Sequence, residues 1–183
     1  FASLTVSGRS TAQAYGAIAT ASAPGSVDDV ELSDVSLSGY RNPAIPPGRP
    51  SGTGLALKGA TSGWKLADVS VEDFFLGVSA PTAATVAQLE IADSEINRNV
   101  VGLQVHSNAS VDGIDVLDTN LDKNGNRGVY VEGALADARF DGLEITDSGD
   151  AESQVNDSLY GGRAFHLNVR SGGSANGDIS LTN

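Results

Sequence analysis

Glu90, Asp115 and Glu144 each stand between two apolar residues, in Leu89-Glu90-Ile91, Ile114-Asp115-Val116 and Leu143-Glu144-Ile145. In an extended strand successive side chains point to opposite faces, so the acids face solvent where their neighbours face inward. Stacked about 4.8 Å apart, the three carboxylates would form one outward column, with Glu31 and Lys65 earlier in it. Like charges at that spacing repel unless solvent or a cation screens them. Clustered oxygen ligands suit Ca²⁺, so Glu90, Asp115 and Glu144 are a candidate metal site, and no cofactor is expected unless Ca²⁺ binds there. A solvated acidic stripe satisfies the same pattern.

Other chemistry is sparse. Asn120-x-Asp122-x-Asn124-Gly125 opens like a calcium loop, but its twelfth position falls on Val131 and Glu132 comes one residue late, so an asparagine-rich turn accounts for it. His106 and His166 occupy outward phases two repeats apart and one position out of line, more than ~10 Å from each other, which is no metal pair. Gly-x-Ser-x-Gly elbows, phosphate loops and zinc spacings are absent. No residue is assigned a catalytic role.

The elements that must carry these residues announce themselves by repetition. Apolar-x-apolar-x-Asp recurs at Val30–Asp34, Trp64–Asp68, Leu89–Asp93, Ile114–Asp118 and Leu143–Asp147, with Asp68, Asp93 and Asp118 spaced 25 residues apart. A small residue followed by apolar-x-apolar precedes each, at Gly16–Ala19, Gly54–Leu57, Gly77–Ala80, Gly102–Val105 and Gly128–Val131, with a weaker copy at Ala164–Leu167 before Ile179–Asn183. A fixed period of this size with alternation inside it is the mark of a solenoid built from strands. Each repeat reads as two short strands, and stacking places Leu66, Ile91, Val116 and Ile145 in one inward column and Leu55, Val78, Leu103, Val129 and Phe165 in another. The aspartates that end the second strand are turn residues, able to accept local backbone hydrogen bonds and tolerate unusual backbone angles.

With Gly-apolar-x-apolar and segments such as Val111-Asp112-Gly113-Ile114-Asp115-Val116-Leu117-Asp118-Thr119-Asn120, residues 16 to 183 resemble the right-handed parallel β-helix superfamily, the pectate-lyase-like group of secreted proteins. The resemblance implies an all-β, single-stranded right-handed parallel β-helix (β-solenoid) of about six coils, with residues 1–15 as an N-terminal strand or assembly segment. It does not select an activity, because such folds include polysaccharide lyases that use Ca²⁺, hydrolases, epimerases, phage tailspikes, adhesins and surface-layer proteins. The paired aspartates and Gly-His-Gly of polygalacturonases are missing here, as is the Tyr-Gly and Asp-Pro-His cluster of alginate epimerases.

Composition sets the surroundings. The chain has 183 residues, no Cys and no Met, so no disulfide can staple it and stability must come from stacking. Acidic residues number 23 against 11 basic ones, a net charge of −12, which argues against nucleic acid and anionic membranes as partners and suits a salty or calcium-containing medium. No secretory signal or membrane-spanning stretch is visible and the first residue is Phe1, as expected of a processed, secreted, extracellular or cell-surface product. Asn108-Ala109-Ser110 and Asn156-Asp157-Ser158 are N-glycosylation acceptor patterns in turn-like contexts.

Two long insertions, one carrying Tyr40, Arg41 and Arg49 and the other Tyr160 and Arg163, fall at the same turn of the repeat and offer aromatic and cationic groups for a polysaccharide or a subunit. Leu4-Thr5-Val6 and Ile179-Ser180-Leu181 read as the same phase of the repeat, and neither end shows an amphipathic capping helix. Leu4, Val6, Ile179 and Leu181 are therefore candidate assembly residues for head-to-tail self-association. The functional expectation is an extracellular structural or adhesive solenoid assembling into a fibre or surface array. Its alternatives are a lyase or epimerase segment and a viral tailspike-like receptor-binding shaft.

Overall fold

The computed structural model describes residues 4–7, 18–19, 26–42, 49–148, 163–168 and 178–182, and among these every regular element is a β-strand. Three parallel sheets of four, six and seven strands make up nearly all of it. The chain visits them in a fixed rotation, so each strand pairs with strands one circuit earlier and one circuit later. Among the described residues a circuit thus contains up to three strands, where the sequence pattern suggests two.

The first strand of a circuit belongs to a Gly-led sheet comprising Ile18–Ala19, Thr53–Ala56, Leu76–Ala80, Val101–Val105, Arg127–Val131 and Arg163–Leu167. The second belongs to a long-strand sheet, in which Ser26–Asp28 and Glu31–Ser33 both lie against Ala60–Ala67, followed by Thr85–Ala92, Ser110–Leu117, Ala134–Asp141 and Ile179–Thr182. The third belongs to a short-strand sheet of Leu4–Ser7, Val35–Ser38, Ser70–Glu72 and Glu95–Asn97, which single bridges extend through Asn120 to Glu144. In Ser70–Glu72 and Glu95–Asn97 this third strand escapes pattern reading because each contributes one buried apolar side chain, Val71 or Ile96, too few to display alternation, whereas the four-residue strand Val35–Ser38 does alternate.

Register confirms most of the expected columns and corrects one. Leu55, Val78, Leu103, Val129 and Phe165 are consecutive partners in the Gly-led sheet. Leu66, Ile91 and Val116 are consecutive partners in the long-strand sheet, and the next member is Phe140, not Ile145. Ile145 belongs to the short-strand sheet, since its neighbour Glu144 bridges to Asn120 and Leu121 donates its N–H to the Glu144 carbonyl. Phe140 also meets the Phe165 ring edge-on at 5.0 Å, tying two sheets together across the core.

The turn aspartates behave as their type requires. Asp34, Asp68, Asp93 and Asp118 have φ of 53°, 54°, 49° and 43°, and Gly142, φ 63°, takes this place in the following circuit. Asp147, φ 48°, sits instead at the turn after the third strand, with Asp73, Arg98 and Lys123. Short polar side chains and glycine are the residues that adopt this left-handed conformation at least cost.

The glycine of the Gly-apolar-x-apolar signature has a different reason. A Cβ on Gly102 would lie 2.6 Å from the Gly128 carbonyl oxygen and 2.9 Å from Asn124 Nδ2, and one on Gly77 would lie 2.5 Å from the Gly102 oxygen and 2.9 Å from Asn99 Nδ2. The missing side chain makes room for a buried amide ladder. Asn99 accepts the Phe74 N–H at 3.0 Å and donates to the Val71 carbonyl at 2.9 Å; Asn124 accepts the Asn99 N–H at 3.0 Å and donates to the Ile96 carbonyl at 2.8 Å. Ser148 continues the ladder by accepting the Asn124 N–H, and its hydroxyl donates to Leu121. Asn124 is therefore an interior residue whose side chain is taken up by backbone groups.

Candidate functional site

The long strands bend at their middles. Asp29, Gly63, Gln88, Gly113 and Asp137 occupy equivalent positions there, with φ of 56°, 66°, 55°, 74° and 47°. The two glycines leave space on either side of Gln88, and Asp29 leans over Gly63, whose Cβ would come within 2.5 Å of its carboxylate. A surface groove of about 350 Å³ results, lined by Asp29, Lys65, Gln88, Glu90 and Asp115, with Trp64 and Leu89 in its floor. Trp64 is committed to the core, since it is 3% exposed and its indole N–H donates to the Val27 carbonyl at 2.8 Å.

One side of this groove is the outward column anticipated from the acids, with one substitution. Glu31, Lys65, Glu90, Asp115 and Arg139 are successive partners, so Arg139 takes the place expected for Glu144. Glu144 lies on the short-strand sheet, next to Asn120. The supposed acidic stripe is thus a column of alternating sign broken only at Glu90–Asp115. Lys65 Nζ lies 3.9 Å from Glu90 Oε2, an exposed pair worth under about 1 kcal/mol. Glu90, Asp115 and Glu144 do not converge, and among the described residues no three His, Cys, Asp or Glu side chains gather as a metal site.

The remaining candidates are dispersed. Asn108 is exposed in the turn before Ser110–Leu117, whereas Asn156 and Tyr160 lie outside the described residues. Arg41 and Arg49 are in the short antiparallel ribbon Arg41–Asn42 with Arg49–Pro50, beside the half-buried Tyr40. Arg163 is exposed at the start of the strand Arg163–Leu167. Both insertions do run from the short-strand sheet to the Gly-led sheet, at one and the same turn of the circuit.

Leu4–Ser7 pairs with Val35–Ser38 in the short-strand sheet, while Ile179–Thr182 pairs with Ala138–Asp141 in the long-strand sheet. The two segments are therefore in different phases of the repeat, contrary to the reading from their alike patterns. Ile179 packs against the core, Leu181 is 59% exposed and Leu167 36% exposed.

Sequence reading passed over several charged and aromatic groups that the register brings together. Arg98 contacts Glu72 Oε2 at 2.7 Å and Asp73 Oδ2 at 3.1 Å, and the hydrogen bond it donates to Asp73 is the main cause holding its guanidinium above its ordinary pKa. Asp141 is held below the usual carboxylate range by hydrogen bonds from Thr182 and Arg139. Arg127, Tyr130 and His166 meet on the outer face of the Gly-led sheet. The spacing of 25 residues between Asp73 and Arg98 was the available signal. No family model, curated protein or solved structure matches the chain. No helix among the described residues is long and apolar enough to cross a membrane.

Proposed function

We propose that the chain is a segment of single-stranded right-handed parallel β-helix serving as a secreted structural or adhesive element, extended end to end by stacking of one copy on the next. The right hand follows from the strong bias of crossovers between parallel strands, whose twist lets the chain pack back on itself in one sense only. The observation that carries the assembly reading is the strand Ile179–Thr182, which among the described residues has a strand partner on one edge only and leaves Leu181 59% exposed, with Leu167 of the same circuit 36% exposed. An edge with unpaired N–H and C=O groups beside apolar side chains is a template for another strand. A head-to-tail contact of this kind repeats without closing and gives a filament.

The test is the size of the particle. The unaltered chain should grow with concentration in light scattering and show, by electron microscopy, fibres with an axial repeat of roughly six circuits at ~4.8 Å each. Leu181→Lys combined with Leu167→Lys should yield monomers whose circular dichroism matches the unaltered chain. A monodisperse monomer at millimolar concentration would refute the assembly.

The groove beside Gln88 favours a second reading, a carbohydrate-active β-helix. Hydroxyl-rich polymers suit the mixed carboxylate, amide and ammonium lining. Under the structural reading, pectate and alginate with Ca²⁺ should give no rise in ultraviolet absorbance from unsaturated ends. Calcium-dependent cleavage that Asp115→Ala abolishes would replace the structural reading with the enzymatic one.

A further inference from the structure

Arg127 and Arg163 are direct partners across adjacent strands of the Gly-led sheet, as are Tyr130 and His166. Like charges placed opposite one another destabilise a sheet unless something lies between them. Here the imidazole does. Tyr130 and His166 stack with centroids 5.1 Å apart, and the Arg127 guanidinium lies 3.9 Å over the Tyr130 ring, leaving Arg127 only 6% exposed. Arg127 Nε–H donates to His166 Nδ1 at 3.0 Å, so a neutral His166 must carry its hydrogen on Nε2. Arg163 Nη1 lies 2.8 Å from that Nε2. A guanidinium has no acceptor, so two N–H groups point at one another.

We propose that Arg163 and His166, backed by Arg127, form an oxyanion site on the outer face of the Gly-led sheet that takes the carboxylate or sulfate group of an acidic ligand. With the exposed Arg163 side chain turned outward, one oxygen within reach of both Arg163 Nη1 and His166 Nε2 accepts from both and turns an N–H to N–H opposition into two charge-assisted hydrogen bonds. Arg163 is exposed, which leaves the site open to solvent. The carboxylate facing the group, Glu132, hydrogen-bonds the Tyr130 hydroxyl, and Asn168 meets that hydroxyl too. The site is the opposite of the surface as a whole, which is strongly acidic, so it selects a ligand by local charge against a repulsive background.

Proton binding provides a readout. Burial first, and then Arg163 and Arg127, hold His166 below the ordinary histidine pKa, with Glu132 opposing them. An anion seated between Arg163 and His166 offsets the two positive charges and draws a proton onto the imidazole; reciprocally, protonation tightens the anion. The chain has two histidines, so His106 serves as an internal reference in the same spectrum.

The experiment follows the imidazole proton resonances of both histidines by NMR against pH, in chloride and then in sulfate or glucuronate at matched ionic strength. His166 should titrate below the ordinary histidine range in chloride, and sulfate or glucuronate should strengthen its proton binding by about threefold or more with no such change at His106. A response to glucuronate alone assigns a carboxylate ligand, and a response to sulfate alone assigns a sulfate ester. Arg163→Gln should abolish the anion response and raise the His166 pKa in chloride. The proposal fails if His106 and His166 respond equally, if Arg163→Gln responds as the unaltered chain does, or if neither anion moves His166.

Discussion

Val116→Asp should abolish cooperative unfolding and leave a chain without native strand signal in far-ultraviolet circular dichroism at 25 °C. Val116 is fully buried between Ile91 and Phe140 in the register of the long-strand sheet. The aspartate must either hold an unpaired charge in the core or take up a proton, at a cost of several kcal/mol. Losing the burial of the valine adds about 1.5–3 kcal/mol. Against a typical total stability of about 5–15 kcal/mol, the two together remove most of the margin. The neighbouring Asp115→Ala supplies the contrast: its side chain is on the outer column, so its stability should change by no more than surface substitutions do, about 0.5 kcal/mol. Equal effects at the two positions would show that the assignment of inward Val116 and outward Asp115 is wrong.

Most of the stack was legible because burial imposes its own period. Leu55, Val78, Leu103 and Val129 recur where an inward position must recur, and Asp34, Asp68, Asp93 and Asp118 recur where the backbone turns through positive φ. Ile145 was misread because the same local grammar, apolar-x-apolar followed by a left-handed residue, serves two different turns. At Leu143-Glu144-Ile145-Thr146-Asp147 that grammar marks the turn after the third strand, while the true second-strand copy, Ala138-Arg139-Phe140-Asp141-Gly142, has Ala first and Gly last. A charge column inherits every such slip. Moving Glu144 out and Arg139 in changes a supposed cation site into a run of mostly compensating charges. Clusters such as Arg127, Tyr130 and His166 were invisible for another reason: they join residues of successive circuits whose spacing is stretched by the insertion before Arg163, so no fixed interval links them.

Asn99→Ala should cost about 2–5 kcal/mol, the second largest effect expected of a single substitution. The side chain is 2% exposed and serves two backbone groups, accepting from the Phe74 N–H and donating to the Val71 carbonyl. Each buried partner left without a hydrogen bond costs about 1–3 kcal/mol. Asn124 accepts the backbone N–H of residue 99, which alanine keeps, so the loss falls on the Phe74 and Val71 groups alone. Asn99→Asp separates hydrogen bonding from charge. Its carboxylate can still accept from Phe74 but must be protonated to donate to Val71, so burial raises its folded pKa above the value of about 3.9 expected in the unfolded chain. The folded state then binds more protons than the unfolded state, and stability is highest below the unfolded pKa and lost as pH rises through the folded one. Urea unfolding at pH 4 and pH 7, each measured against the unaltered chain at the same pH, should therefore find Asn99→Asp less destabilising at pH 4, and Asn99→Ala equally destabilising at both. A pH-independent penalty for Asn99→Asp would mean that the side chain reaches solvent and that the ladder is not closed.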